Sequence, residues 1–511
     1  MSDNQNNEIL EEIIDEEEEK GEIGQCFGEV IPKRDYLLDW TKKLRHKRTP
    51  EEIIRYKLSV AKNYEEWTKL AKELDVLLGN DEWKSNPISP YYDYNLIQYK
   101  LDNFRQVREN NDVLSMIYML RSGLLRNLGG LNDPRLFSQS YLGTKKLIED
   151  YTQEVITQLE YIGEQDFSEI PKLSKMEFFN DTRQSFGNSA LVLYGGTSFG
   201  LYHLGVVKAL NQNGLLPRII SGTAIGALIA ALVCIRTDEE LPRIFEPGGI
   251  NLGAFGKVGS EGNIRRKISR YLMDIKVLEE CVLSNVGDLT FEEAYAKTKR
   301  ILNITVSPTR KFEIPQLLNY LTAPNVVSNP SFCGKFRAAC ASVAIMGLYD
   351  SYDLMAKDKT GKIVPWAPSE IKWKKWTDAV PTESESPLTR ITELFNVNHF
   401  IVSQANAAVV PFLSREQTTR ASILVKCGHF ISTEYRHRIA QLEQMRLLPR
   451  MFREQSTWPL LALIRNRCLI ELALDRIYLK LKSSPPAERS YPLYPTAKDK
   501  NNGRKRTKSV H

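Results

Sequence analysis

The sequence predicts an α/β fold with a mainly parallel sheet, flanked along the chain by helical regions on both sides. Two observations predict it. Two strand–turn–helix units follow one another within about 45 residues, between Ala190 and Ile235, and short apolar runs joined through helices are the pattern of a parallel sheet. On either side, before about residue 165 and after about 415, apolar residues recur at helical spacing instead.

The order of elements gives the domain organisation. Residues 1–30 form an acidic tail expected to be disordered. Residues 1–25 hold ten Asp and Glu against the single Lys20. Residues 31–165 are expected to be a helical region: Trp40, Leu44, Ile53, Ile54, Leu58 and Ala61 recur near helical spacing. DVLSMIYMLRSGLLRNLGG ends on Gly129 and Gly130 as a helix does. Residues 166–187 are polar and read as a linker. Residues 188–414 make the α/β domain. Ala190-Leu191-Val192-Leu193-Tyr194 is a short apolar run bounded by turn signals, as in a buried parallel strand. Pro217-Arg218-Ile219-Ile220 is a second strand, and RILNITV and NHFIVS are further candidates. Residues 415–482 are helical again, with Trp458-Pro459 as a helix start and Trp458 as a core anchor. From 483 to 511 a basic cluster (Arg504, Lys505, Arg506, Lys508) marks a second tail expected to be disordered.

Composition narrows the function. Seven scattered cysteines form no CxxC pair, so no zinc or redox motif is indicated. The N-terminus lacks the order of a secretory signal, and no apolar run reaches 18 residues, so a protein that is not secreted and has no spanning helix is expected. The net charge of +6 conceals an acidic tail, which leaves about +15 on the remainder. A basic body suits anionic headgroups; a merely solvated surface is the alternative. Nucleic acid is disfavoured because no basic run interleaves with aromatics.

Two glycine-rich turns carry the chemistry. Gly195-Gly196-Thr197-Ser198-Phe199-Gly200 follows a strand and opens a helix. Glycines there let backbone N–H groups point outward, and the helix adds its positive end, so an oxyanion or a phosphate can be held. Gly195, Gly196, Thr197 and Gly200 are the candidate oxyanion loop. The GxGxxG spacing of a dinucleotide site is absent. The second turn, Gly222-Thr223-Ala224-Ile225-Gly226, has the strand-to-helix setting of a nucleophile elbow, G-x-S-x-G. Both glycines, Gly222 and Gly226, are kept, and Ala224 holds the central position. A methyl group can neither be deprotonated nor attack a carbonyl. An ordinary strand-to-helix turn is the plainer alternative.

Together the turns resemble those of patatin-like phospholipases. The resemblance runs over SALVLYGGTSFGLYHLGVVKAL and IISGTAIGALIAAL. It extends through LRSGLLRNLGGLNDPRLF, GTKKLIEDY, ELFNVNHFIVSQ, EYRHR and EQSTWPLLALIRNRC to the fungal and plant triacylglycerol lipase branch. It implies a three-layer α/β domain and a serine–aspartate dyad without cofactor or metal. The serine falls at Ala224. The aspartate falls nearest Asp378, where Ala379 and Val380 follow in place of glycine and a small residue; a solvent-facing loop acid is the alternative. The resemblance therefore implies a protein acting on or binding neutral-lipid or phospholipid acyl esters, with hydrolysis lost. The alternatives are an active triacylglycerol lipase or phospholipase of lipid-droplet metabolism, and a non-catalytic scaffold or regulator of an active relative. It further implies acyl lipid, a membrane or lipid-droplet surface, or an active lipase relative as partner, on the cytosolic face of lipid droplets or endoplasmic reticulum. Residues 434–452 are a candidate amphipathic docking helix, with core packing as the alternative. Ser221 and Thr223 flank the elbow without occupying its apex. His203, His399 and His437 read as packing histidines, since a dyad needs none.

Overall fold

The computed structural model describes residues 49–168, 170–195, 202–246, 249–250, 285, 289–308, 316–326, 354–360, 362–366, 373–375, 387–404 and 457–483. Both terminal tails, residues 405–456 and Asp378 lie outside them. The chain divides into two compact units, Met1–Lys57 and Leu58–His511. Of the first unit, the described part is Thr49 and the opening turns of helix α1 (Pro50–Val60), where Glu51 and Arg55 pair one turn apart.

The second unit begins with helices. These are α2 (Tyr64–Leu77), α3 (Asn80–Ser85), α4 (Tyr94–Glu109), α5 (Val113–Gly123), α6 (Lys146–Glu164) and α7 (Lys172–Phe186). Their starts are written in the sequence. Asn63, Asp93 and Asp112 each accept the N–H three residues on, satisfying a donor that the first helical turn leaves unpaired. On α4, Ile97, Leu101 and Phe104 fall on one face and are buried against α5 and α6. The polar stretch expected as a linker is a correction: most of 166–187 is the 15-residue helix α7. Phe178 and Phe179, with Phe186 about two turns on, are buried and tie it to the helical core; Lys175 and Thr182 are buried with them, and the Lys175 ammonium donates to the Gln165 carbonyl.

The sheet follows. β1 (Asn188–Tyr194) leads to α8 (Tyr202–Gln212), β2 (Ile219–Gly222) and α9 (Ile225–Cys234). Then come α10 (Phe291–Thr298), β3 (Ile301–Pro308) and β4 (Gln316–Leu318). β5 (Met355–Lys357) and β6 (Ile363–Pro365) form a separate two-stranded ladder, while β7 (Trp373–Lys375) joins the edge of β3. Helix α11 (Pro387–Phe395) and β8 (Val397–Gln404) complete the described sheet, and α12 (Leu461–Ser483) ends the described chain. Strand order is β4-β3-β2-β1-β8, with β3, β2, β1 and β8 parallel and β4 and β7 antiparallel to β3. The fold is thus the expected α/β arrangement with a mainly parallel sheet. Alternate residues of β1 serve different layers: Leu191 and Leu193 pack with α8 and α9, whereas Ala190 packs with Ile391 and Phe395 of α11.

Helices from both ends of the chain share one core. Ile470, Ala473, Leu474 and Ile477 of α12 join Phe104, Tyr151, Leu159 and Phe179. A β-carbon on Gly163 would lie 2.6 Å from Ile477 Cγ2, so glycine sets the approach of α6 to α12. A polar knot fastens this bundle to the sheet at the start of β1. Arg126 donates to Ser189 Oγ (3.2 Å), to the carbonyls of Gly187 (2.9 Å) and Arg467 (2.7 Å), to Asn398 Oδ1 (3.0 Å) and to Glu471 (3.1 Å). Glu471 in turn accepts the Ser189 backbone N–H at 2.7 Å. Burial pushes the Glu471 carboxyl up, with Arg126 and Ser189 opposing it. Arg126→Ala would leave that carboxylate buried without its counter-charge. A loss of about 3–5 kcal/mol in unfolding free energy is expected by chemical denaturation, whereas Arg121→Ala, at an exposed ion pair with Asp181, should cost less than about 1 kcal/mol.

Candidate active site

The two glycine turns leave the same edge of the sheet. β1 and β2 are parallel neighbours, so Gly195 and Thr223 both emerge at their carboxyl ends. β1 lies between β2 and β8, where the order of strands reverses, and open α/β sheets bind ligands outside such a switch point.

Three hydrogen bonds join the turns. Thr223 N–H donates to the Leu193 carbonyl at 3.1 Å, and Gly226 N–H to the Gly195 carbonyl at 3.3 Å. Gly195 N–H donates to Thr223 Oγ1 at 3.0 Å. Both elbow glycines are sterically required. A β-carbon on Gly226 would lie 2.1 Å from the Leu193 carbonyl oxygen, and one on Gly222 would lie 2.5 Å from Ala227 Cα. The backbone between them turns sharply: Ala224 has φ 55° and ψ −130°, a conformation L-residues rarely adopt and one that costs about 1–3 kcal/mol. It is the geometry in which a nucleophile elbow presents its central residue. Ala224 is 2% exposed, so its methyl is enclosed.

The remaining sequence candidates fall in different places. Gly195 ends the described part of the loop with φ +71°, and among the described residues none beyond its chain neighbours comes within 4 Å of a β-carbon built on it. Gly196, Thr197, Gly200 and Asp378 lie outside the described residues, as do His437 and residues 434–452. Ser221 is buried within β2, and Thr223 is turned to the end of β1 by its bond to Gly195. His203 of α8 is buried, with Nδ1 2.8 Å from Ser403 Oγ on β8. His399 Nδ1 is 2.9 Å from Ser189 Oγ, in the knot at the opposite end of β1. Among the described residues no three His, Cys, Asp or Glu side chains gather as metal ligands, and no helix is long and apolar enough to cross a membrane.

Sequence reasoning missed two contacts. The Thr223–Gly195 bond carries no spacing signal, because it depends on β1 and β2 being neighbours. The Ser403–His203 pair joins residues 200 positions apart.

Comparison with known proteins agrees with this geometry. Residues 191–378 match the profile of patatin-like phospholipases, and residues 44–184 match that of a domain of unknown function. A triacylglycerol lipase of Schizosaccharomyces pombe is 35% identical over 76% of this chain and 70% of its own length. The chain belongs to the patatin-like phospholipase family. Triacylglycerol lipase 4 of Saccharomyces cerevisiae is 34% identical over 83% of this chain, and a triacylglycerol lipase of Arabidopsis thaliana 36% identical over 77%. The chain spans about half the length of these last two relatives, 52% and 49%. The patatin match begins at Leu191 inside β1 and so takes in both glycine turns, while the domain of unknown function covers the helices α1 to α6 and most of α7.

The steric account separates the glycines. Gly226→Ala should cost more than about 3 kcal/mol in denaturant unfolding, because its clash is with backbone. Gly195→Ala meets only backbone strain and should cost about 1–2 kcal/mol. The histidines predict a pH response. Burial pulls His203 and His399 down from 6.5 to about 4, with Arg126 and Arg467 adding to the effect on His399. Between those values the unfolded chain holds more protons than the folded one, so stability is full above about pH 6.5 and declines as the pH falls toward 4. At pH 5 the expected loss is about 2 kcal/mol per histidine. Denaturation midpoints at pH 7.5 and 5.0 measure it, and His203→Asn should make the decline shallower.

Proposed function

We propose that this chain is a patatin-fold protein that binds acyl esters of neutral lipid or phospholipid and has lost the ability to hydrolyse them. The observation that carries it is Ala224 at the apex of a strained elbow, φ 55° and ψ −130°, between two glycines that no other residue can replace without a clash. The scaffold that would present a nucleophile is kept while the nucleophile is missing. In this proposal Gly195, Gly196, Thr197 and Gly200 form the oxyanion loop. Asp378 is the remnant of the dyad acid, in a turn altered by Ala379 and Val380. Loss of a nucleophile from such a unit typically lowers turnover by about 10⁶, leaving binding and oxyanion effects.

A protein of this kind would act by occupying lipid at a droplet or endoplasmic reticulum surface, on its cytosolic face, or by pairing with an active relative. The second reading is a working acyl ester hydrolase. The names of the relatives favour it: those of S. cerevisiae, A. thaliana and S. pombe are triacylglycerol lipases. It needs a nucleophile other than residue 224, and Thr223 and Ser221 are the nearest hydroxyls in sequence.

The purified chain and its Ala224→Ser variant, assayed on triolein and on phospholipid, separate the two. The proposal expects no turnover and no fluorophosphonate adduct for the unaltered chain, and an adduct on the Ala224→Ser variant. Turnover by the unaltered chain that survives Ser221→Ala and Thr223→Ala would overturn the loss of hydrolysis. Turnover abolished by either substitution would establish the second reading.

A further inference from the structure

A second site lies away from the strand edge, in the helical part of the fold. It is a cleft of about 300 Å³ whose walls include Tyr64 of α2, Tyr141, Glu149 of α6, Trp458, and Arg465 and Asn466 of α12. That volume is at the small end of ligand pockets, about 300–1,000 Å³, and suits a polar headgroup better than a pair of acyl chains.

The walls are fixed by specific contacts. Buried Asp75 accepts the backbone N–H groups of Tyr141 at 2.9 Å and Leu142 at 3.0 Å, and the side chains of Asn80 at 2.8 Å and Lys84 at 2.9 Å. Burial raises the Asp75 carboxyl, but these bonds outweigh it and hold the group below its ordinary value. The turn then closes on Glu149: Thr144 N–H donates to Glu149 Oε1 at 2.9 Å, and a β-carbon on Gly143, at φ +72°, would lie 2.4 Å from that oxygen. Tyr64 and Trp458 of the wall pack with each other and with Trp67 behind them, with centroids 5.9–6.2 Å apart.

What these walls present is unspent. Glu149 is exposed, and among the described residues its carboxylate has no cationic partner. Arg465 is exposed and makes neither a hydrogen bond nor an ion pair among the described residues, with Glu149 or any other. The indole N–H of Trp458 is buried without an acceptor among them, the residue being only 3% exposed. A carboxylate beside aromatic faces attracts an ammonium group, most of all a quaternary one. A guanidinium free to use its fork takes a phosphate in two parallel bonds. One small group carries both charges at short separation.

We propose that this cleft binds the ammonium–phosphate headgroup of a zwitterionic phospholipid, with Glu149 and the aromatic wall on the ammonium and Arg465 on the phosphate. The cleft is made from the region matched to the domain of unknown function and from α12. That region thereby gains a role, which is to engage the lipid surface that displays the headgroup. The assignment does not rest on the elbow, and it holds whether or not Ala224 has ended hydrolysis.

Titration calorimetry of the full chain with soluble phosphocholine, and co-sedimentation with vesicles of phosphatidylcholine or of phosphatidylglycerol, test it. Saturable phosphocholine binding is expected, weakened by about tenfold or more in Arg465→Gln and in Glu149→Gln, and only partly retained in Arg465→Lys, which keeps the charge but not the two-pronged fork. Arg465 is exposed and unpartnered among the described residues, and a glutamine at 149 can still accept the Thr144 N–H, so both variants should fold; their thermal melts verify it. Co-sedimentation with phosphatidylcholine vesicles should fall in parallel, while that with phosphatidylglycerol vesicles should not. Absence of phosphocholine binding, or binding unchanged by both Gln substitutions, overturns the site. Binding of soluble phosphocholine without binding to phosphatidylcholine vesicles overturns the lipid-surface source and leaves a free headgroup as the ligand. No readout measures hydrolysis, so failure here is separable from failure of the proposal for the elbow.

Discussion

The close approach of α9 to the end of β1 is the constraint on which the candidate site depends. The Leu193 carbonyl accepts the Thr223 N–H and sits where a β-carbon of residue 226 would be. That leaves room for glycine alone, and it forces the chain between β2 and α9 through a turn too tight for ordinary backbone angles. Ala224 takes the strain. Its backbone is held by Gly222 and Gly226 on either side and by the bonds linking Thr223 and Gly226 to Leu193 and Gly195, not by any advantage to alanine itself. A strained residue with no reactive group is the observation behind the proposal that the elbow is a catalytic form without its catalyst, set against a plain turn.

The opposite end of β1 is held by different physics. There the Arg126 guanidinium gathers carbonyls, a serine, an asparagine and a carboxylate from segments up to 345 residues apart. A buried charge of this kind gives little net stability, but it fixes which partners meet. β1 is thus pinned at its start by a polar knot and at its end by steric closeness, and the aromatic residues Trp67 and Trp458 pack into the same core as Leu193 and Ala227 beside the glycine turns.

Much of this was legible without coordinates. The strand–turn–helix order around Ala190–Tyr194 and Ile219–Gly222 follows from apolar runs and punctuating glycines, both of which are local signals. Helix starts at Asn63, Asp93 and Asp112 are equally local, because a cap needs only its own side chain and the N–H three residues on. The segment 166–187 was not legible: its overall polarity outweighed its phenylalanines, and only a partner surface tells that Phe178, Phe179 and Phe186 belong to a core. The site divides in the same way. Gly222, Ala224 and Gly226 were found from spacing, since an elbow is a short continuous motif. The bond from Gly195 to Thr223 and the pairing of His203 with Ser403 were not, since each joins segments that only the sheet brings together.

By itself the sequence determined the α/β class, the family and the alanine at the elbow's centre, because period, punctuation and motif are properties of neighbouring residues. Tertiary structure alone decided that the terminal helices share one core, that glycine is obligatory at 226, and that Glu149 and Arg465 line one cleft. Those facts depend on which surfaces touch, and distances between segments far apart in the chain are set by packing, which no local pattern encodes.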